Sequence, residues 1–182
     1  METEVYGDIG DVVNAFTSSL RSAFLGNLNL NGTVPANVGR FTQIVALRFQ
    51  NNQIEGTLPD SVGLLTSLTN FQIAGNKMNG TVPTDIGRLT RLSVLEMDQN
   101  SFVGPLPPQM SNLRGLTSLD ISENELTGSL APLSGISTLR ECLLVIWLSN
   151  CCCFRCFRCH VADNVFFSFA SCRDVAGVWE QL

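Results

Sequence analysis

One pattern of apolar residues and asparagine returns every 24 residues through most of this chain. Between Leu92 and Phe102 the residues fit the template L-x-x-L-x-L-x-x-N-x-L, with small departures in the type of apolar residue. The template fits four successive units, whose asparagines are Asn52, Asn76, Asn100 and Asn124. The unit that starts at Leu20 has Leu28 in place of the asparagine, so we interpret it as a degenerate first repeat. Self-similarity at a fixed period predicts a stack of equal structural units.

The second half of each unit repeats just as strictly. The glycines of one phase are Gly32, Gly56, Gly80, Gly104 and Gly128, and a proline follows three residues after each of the first four, as in Gly80 and Pro83. An apolar residue and a glycine then close most units, as at Ile86-Gly87, although Met110-Ser111 departs from the pattern. Because glycine permits dihedral angles and close approaches that a Cβ obstructs, and proline fixes φ, these columns predict a turn at the same place in every unit.

The combined pattern resembles the plant-type subclass of leucine-rich repeats, whose motif runs L-x-G-x-I-P-x-x-I/L-G-x-L. These repeats occur in receptor-like proteins and in receptor-like kinase ectodomains. The resemblance covers residues 20 to 140, and no protein-kinase motif is present in the 182 residues. It implies an α/β repeat solenoid, a right-handed leucine-rich repeat coil with a parallel β-sheet on the concave face and an irregular or 3₁₀ convex side. It also implies that the repeated asparagines form a continuous ladder.

Three segments are predicted along the chain. Residues 1–19 form an N-terminal cap or a degenerate repeat, in which one face of a short helix would carry Val5, Ile9, Val12, Val13 and Phe16. Residues 20–140 hold about five 24-residue repeats. All seven cysteines lie between Cys142 and Cys172, so we interpret residues 141–182 as a separate Cys-rich C-terminal tail.

Alternation in the x-L-x-L-x segment predicts a short strand with inward apolar residues and outward residues on the concave face. Stacking in parallel brings equivalent outward residues roughly 4.8 Å apart. The central outward column reads Phe24, Arg48, Gln72, Glu96 and Asp120. Polarity therefore changes along the stack from neutral or basic to acidic. The candidate partner-binding residues are Arg48, Gln50, Gln72, Glu96, Asp98, Asp120, Ser122 and Glu123.

These columns predict a non-catalytic recognition module that binds a protein or peptide. Our hypothesis is that an acidic patch, which we define as Glu96, Asp98, Asp120 and Glu123, binds a basic segment of the partner; the alternative is a solvated charged surface. With a formal net charge of -5, nucleic acid is not an expected partner. Acid-base or cation chemistry at Glu96 and Asp120 is a further alternative, which an open face that admits water disfavours. We therefore expect no catalytic residue, metal or cofactor.

The cysteine-rich tail offers competing functions. Residues 156–160 match C-x-x-C-H, the pattern for c-type haem attachment, and a zinc site would draw on Cys153, Cys156, Cys159 and His160. S-acylation of Cys151 to Cys153 would attach a scaffold to a membrane. The apolar run 142–154 is shorter than the roughly 20 residues that span a bilayer. The plainest interpretation is a poorly determined tail or a tail read through from non-native coding sequence.

The cellular compartment of the protein is predicted from its first residues and from two glycosylation motifs. METEVYGDIGDVV has no basic start followed by an apolar segment, so no signal peptide is predicted and the cytoplasm is the default. A membrane-associated or extracellular location is the alternative if the chain is a fragment with an incomplete N-terminus. Asn31-Gly32-Thr33 and Asn79-Gly80-Thr81 are N-glycosylation sequons, although the Gly-Thr pair of the repeat also creates such motifs incidentally.

Overall fold

The computed structural model describes residues 7–148 and 151–156, with side chains described for residues 7–140. The strands in this part of the chain are β1 Gly7–Asp8, β2 Ser22–Phe24, β3 Leu30–Asn31, β4 Ala46–Arg48, β5 Glu55–Thr57, β6 Asn70–Gln72, β7 Lys77–Gly80, β8 Val94–Glu96, β9 Ser101–Pro105, β10 Ser118–Asp120, β11 Glu125–Thr127, β12 Glu141–Leu148 and β13 Cys151–Cys156. One α-helix, α1, covers Ile9–Ala15. The 3₁₀ helices are Ala36–Arg40, Asp60–Leu64, Thr84–Arg88, Pro108–Asn112 and Ala131–Leu133.

Every second strand from β2 to β12 belongs to one parallel sheet, which forms the concave face. Its order is β2-β4-β6-β8-β10-β12, so each strand pairs with its counterparts in the neighbouring repeats. The register repeats without slippage, because Leu47 pairs with Phe71, Phe71 with Leu95, and Leu95 with Leu119. The predicted repeat solenoid with a parallel sheet is therefore confirmed.

Inward residues of the strands and of the following turns form one continuous core. Phe71, Leu95 and Ile121 are fully buried, as are their counterparts in the other regular repeats. Phe49 and Phe71 meet edge to face across neighbouring repeats, with ring centroids 6.1 Å apart. Burying one such side chain stabilises the fold by about 1.5–3 kcal/mol. Because these contacts cross between repeats, each unit depends on its neighbours for its stability.

The repeated asparagine turns inward where each strand ends. Asn100 accepts a hydrogen bond from the Met78 amide at 3.0 Å and donates to the carbonyl oxygens of Ile73 and Asp98, each at 3.0 Å. Asn76 and Asn124 make the same set of bonds one repeat before and after. One side chain thus satisfies backbone groups of two repeats, and the expected asparagine ladder is present.

The convex side contains more regular structure than the sequence predicted. Besides the 3₁₀ helices, β5, β7, β9 and β11 pair in parallel. Their register advances by 22 residues per repeat, as in Gly56 with Met78, so neighbouring strands pair two residues out of phase with the repeat. Sequences such as Glu55–Thr57 have low strand propensity, which explains why alternation did not reveal them.

Glycines in the 3₁₀ helices allow neighbouring repeats to approach closely. A Cβ added to Gly87 would lie 2.3 Å from the Gln109 carbonyl oxygen. A Cβ added to Gly39 or Gly63 would clash in the same way with the neighbouring repeat. Ser111 replaces this glycine in the next repeat, where the following 3₁₀ helix is only three residues long. The departure at Met110-Ser111 therefore coincides with a shorter helix in the next repeat.

Helix α1 covers the core of the first repeat. Asp8 caps its start by accepting a hydrogen bond from the Gly10 amide, while Ile9 and Val13 are buried. At the other end, Arg40 Nη2 donates to the carbonyl oxygens of Val13 and Phe16, each at 2.8 Å. Val12 and Phe16 pack against the core, whereas Val5, also assigned to this helix, lies outside the described residues. Strand β1 adds to the cap by pairing with β3.

Strand pairing continues past residue 140, where the change in composition begins. β12 joins the concave sheet with Leu119 opposite Cys142, a step of 23 residues instead of 24. At Trp147 the same strand pairs with β11, and β13 then pairs with it in the antiparallel direction. The tail boundary at residue 141 stays a prediction about composition, but the backbone of β12 forms a sixth rung.

Removing one asparagine amide should weaken the whole stack. We expect Asn100→Ala to lower the free energy of unfolding by about 2–3 kcal/mol, because the Met78 amide and several carbonyls lose a partner in the interior. Asn112→Ala is the control, since Asn112 is exposed on a 3₁₀ helix. Urea unfolding followed by circular dichroism measures both variants. Equal stability of the two variants would contradict the role of the ladder.

Adding a methyl group at Gly87 should separate two repeats. We expect Gly87→Ala to cost about 2 kcal/mol or more, because its Cβ meets the backbone of the neighbouring repeat. In Gly135→Ala the nearest atom is Ser111 Cβ at 3.6 Å, an ordinary contact, so this control should change stability by less than about 0.5 kcal/mol. Melting temperatures that fall equally in both variants would show that close approach at Gly87 is not limiting.

Candidate binding face

The central outward column is aligned as the repeat phase predicted. Hydrogen-bonded register places Phe24 beside Arg48, Arg48 beside Gln72, Gln72 beside Glu96, and Glu96 beside Asp120. Neighbouring strands of a sheet lie roughly 4.8 Å apart. Five chemically different side chains therefore stand in one row across the concave face, where each is half-buried or exposed.

The acidic patch occupies two adjacent rungs. Glu96 and Asp120 are register partners, Asp98 follows Glu96 by two residues, and Glu123 lies in the turn after β10. Among the side chains described, the ion pair is Arg88 with Asp85 at 3.6 Å, on a 3₁₀ helix. No described Lys or Arg forms an ion pair with the patch.

Neighbouring polar groups hold two of the patch carboxylates in place. Gln72 Nε2 donates to Glu96 Oε2 at 2.7 Å, across one step of the stack. Both the backbone amide and the hydroxyl of Ser122 donate to Asp120 Oδ1, at 3.0 and 2.7 Å. Two of the predicted partner-binding residues, Gln72 and Ser122, thus orient the acidic side chains on this face.

Asp98 is the carboxyl group most affected by the crowding. Desolvation by burial, together with the negative charges of Asp120, Glu96 and Glu123, raises the pKa of Asp98 to about 6. Glu123 contributes from a residue with φ of 51°, in the left-handed region that glycine and asparagine usually occupy. The same turn position holds Asn51, Gly75 and Gln99, all with positive φ.

The opposite end of the face is aromatic and basic. Phe24 is 63% exposed, and the Arg48 guanidinium carbon lies 5.0 Å from its ring centroid, a cation-π contact. Gln50 folds over Gly26, whose missing Cβ leaves room for the Gln50 amide. Within the described part of the chain, the buried atoms Arg48 Nε and Gln50 Oε1 have no hydrogen-bond partner.

This geometry suits surface recognition rather than enclosed chemistry. The patch lies on an open sheet, whereas acid-base catalysis needs a site that excludes water. Within the described residues, no group of three or more His, Cys, Asp or Glu side chains is arranged to hold a metal ion. The haem, zinc and S-acylation motifs of residues 151–160 fall where side chains are not described, and they stay predictions.

The repeat period of the sequence predicted which side chains form the outward columns, but not the contacts between those side chains. It did not reveal the stacking of Arg48 on Phe24, or the support of Glu96 by Gln72, because both depend on side-chain conformation. The crowding around Asp98 had a sequence signal: three acidic residues share two neighbouring units in outward phase.

The stacked parallel rungs, the asparagine ladder and the open concave face define a leucine-rich repeat solenoid. Comparisons with known proteins agree: this chain is similar in fold to plant leucine-rich repeat proteins. The Leucine Rich Repeat family model matches residues 115–135. Comparison with curated proteins gives no match.

Solved structures of plant receptor ectodomains share this fold. The Arabidopsis receptor kinase HAESA, in complex with the peptide hormone IDA and the co-receptor SERK1, is 31% identical, with a TM-score of 0.70 over 79% of this chain and 24% of that one. The ectodomain of the membrane receptor kinase GASSHO1/SCHENGEN3 from Arabidopsis thaliana, in complex with CASPARIAN STRIP INTEGRITY FACTOR 2, is 24% identical and gives 0.72 over 81% and 18%. That of the receptor kinase SOBIR1 from Arabidopsis thaliana is 23% identical and gives 0.62 over 70% and 68%. The chain thus spans a quarter or less of the first two.

Over the residues that the structure describes, no helix has both the length and the apolar character to cross a bilayer.

The raised pKa of Asp98 predicts how stability depends on pH. Native Asp98 holds its proton more tightly than unfolded Asp98, so the contribution of Asp98 to the free energy of unfolding should fall as pH rises from the ordinary pKa of 3.8 to about 6. The Asp98→Asn variant has no carboxyl group at this position, so it should not lose this stability as pH rises. We expect the variant to be more stable than wild type by about 1 kcal/mol at neutral pH, because solvent screens a half-buried carboxylate, with the difference vanishing in mild acid.

Asp60→Asn is the control for this experiment, because it removes a carboxylate from an exposed position on a 3₁₀ helix. Urea unfolding of wild type and both variants across this pH range makes the comparison. A constant difference between Asp98→Asn and wild type at every pH would contradict the assignment.

Proposed function

We propose that this chain recognises a protein or peptide through its concave face, and that the acidic patch binds a basic segment of that partner. One observation carries the proposal: four carboxylates occupy two adjacent rungs, and no described basic side chain is paired with them. The crowding around Asp98 is unfavourable in the free protein, as its raised pKa indicates. A bound Lys or Arg would relieve that repulsion.

The similar structures support the general form of this proposal. HAESA is in complex with a peptide hormone and a co-receptor, and RGFR1 is a plant peptide hormone receptor in complex with RGF2. These partners belong to those proteins. They support a peptide or protein as the class of ligand here, while the basic character of the ligand rests on the acidic patch alone.

Two other similar structures favour an extracellular location, the alternative to the cytoplasmic default. The GASSHO1/SCHENGEN3 structure is the ectodomain of a membrane receptor kinase, and the SOBIR1 structure is the ectodomain of a receptor kinase. We therefore propose that this chain acts as the recognition part of a receptor-like signalling protein. Its partner would then meet the concave face outside the cell.

The size of the acidic patch limits the number of basic side chains that it can bind. Because two rungs are roughly 4.8 Å apart, the patch matches one or two basic side chains rather than a long basic tract. Phe24, Arg48 and Gln50 lie two or more rungs away. They would contact a different part of the same partner, so the basic segment need not fill the face.

Removal of the patch charges should weaken binding of a basic peptide. The probe is a synthetic Lys- and Arg-rich peptide, titrated by isothermal calorimetry into the full chain. We expect Glu96→Gln, Asp98→Asn and Asp120→Asn together to weaken binding about tenfold, because three partly exposed charge pairs at about 0.5 kcal/mol each amount to about 1.5 kcal/mol. Binding to wild type should also weaken below about pH 6, when Asp98 protonates.

A matched triple variant separates the patch from net charge. Glu55→Gln, Asp60→Asn and Glu125→Gln remove the same number of charges from exposed positions outside the concave sheet. This control should bind the probe within about twofold of wild type, since added salt screens distant charges. Equal weakening in both triples would show that net charge, and not the patch, attracts the peptide.

A further inference from the structure

Two exposed asparagines lie on strands outside the concave sheet. Asn31 ends β3 and Asn79 lies in β7, and each is followed by glycine and threonine. The side chains of Asn31, Thr33, Asn79 and Thr81 are all exposed. In each Asn-Gly-Thr motif, the fold requires the glycine and the threonine but not the asparagine.

Glycine and threonine of the motif have packing roles. Gly80 has a φ of 75°, which favours glycine. A Cβ added to Gly104 would lie 3.2 Å from Thr81 Cγ2, so the threonine methyl group fills the space above the glycine of the next repeat. Thr33 stands in the same relation to Gly56, and Thr57 to Gly80. The Gly-Thr pair is therefore a structural feature of the stack.

Asparagine has no such role at this position. The residues that occupy it along the stack are Asn31, Glu55, Asn79, Val103 and Thr127. Asn is disfavoured in strands. Four other exposed asparagines of the described chain pair with one another, Asn37 with Asn14 and Asn51 with Asn27. No side-chain hydrogen bond among the described residues involves Asn31 or Asn79, and the exposed Asn112 is alike in this.

We propose that Asn31 and Asn79 carry N-linked glycans when the chain passes through the secretory lumen. The donor would be an oligosaccharide joined to a lipid through a diphosphate. The Asn amide nitrogen forms a bond to the sugar C1, the bond from C1 to the phosphate oxygen breaks, and the lipid diphosphate leaves with the electron pair while the nitrogen loses one proton. Both sugars would stand on strands that do not contribute to the acidic patch, so the concave face stays open to a partner.

Two substitutions at Thr81 separate modification from packing. Thr81→Val keeps the methyl group that covers Gly104 but removes the hydroxyl that the acceptor motif needs. Thr81→Ser keeps the hydroxyl and removes the methyl group. A structural role alone would make Ser the more harmful change, whereas a role in glycosylation makes Val the one that loses a sugar.

The full chain, placed behind a secretory leader and expressed in plant cells, provides the test. Intact-mass spectrometry before and after enzymatic release of N-glycans should show two glycans on wild type, two on Thr81→Ser and one on Thr81→Val, with peptide mapping to assign the sites. Secreted wild-type chain with an unmodified Asn79 or Asn31 would overturn the proposal at that site.

Binding of the Lys- and Arg-rich peptide can be measured independently on the same protein samples. Thr81→Val should bind the Lys- and Arg-rich probe within about twofold of wild type, because Thr81 lies outside the concave sheet. Failure of the acidic patch to bind the probe would leave the mass shifts unaffected. The two proposals therefore fail separately.

Discussion

The buried asparagine amide at the end of each regular strand sets the spacing of the whole stack. At this point the chain leaves the sheet, and its amides and carbonyls would otherwise lie unpaired in an interior without water. Asn100 bonds to backbone groups of its own repeat and of the one before, as does Asn124. A side chain that serves two repeats at once fixes their relative position, and the apolar core then fills the space that this spacing defines.

Constant spacing has a direct consequence for recognition. Because each strand returns to the same height and register, the fold constrains the inward residues tightly and the outward residues little. Phe24, Arg48, Gln72, Glu96 and Asp120 occupy one backbone position in successive repeats. Their differences are therefore free to serve a ligand. The outward side chains change from aromatic and basic at one end of the row to acidic at the other, and this change does not involve the inward residues.

Sequence predicted most of this fold because its governing interactions recur at a fixed period. The inward columns, the asparagines, and the Gly and Pro turns could all be identified by position, and so could the outward residues of the candidate face. What could not be predicted depends on conformation or on local irregularity. The convex strands pair two residues out of phase, β12 joins after 23 residues, and the contact of Arg48 with Phe24 follows from side-chain rotamers.

The guanidinium of Arg40 closes the first repeat by binding the last carbonyls of α1. The acceptors are backbone carbonyl oxygens at the end of the helix, far along the stack from the acidic patch. The acidic patch lies at the other end of the stack, and Asp98 changes its charge near pH 6. Mild acid therefore changes the charge of the surface that we propose for binding, at a distance from the contacts that hold the N-terminal cap.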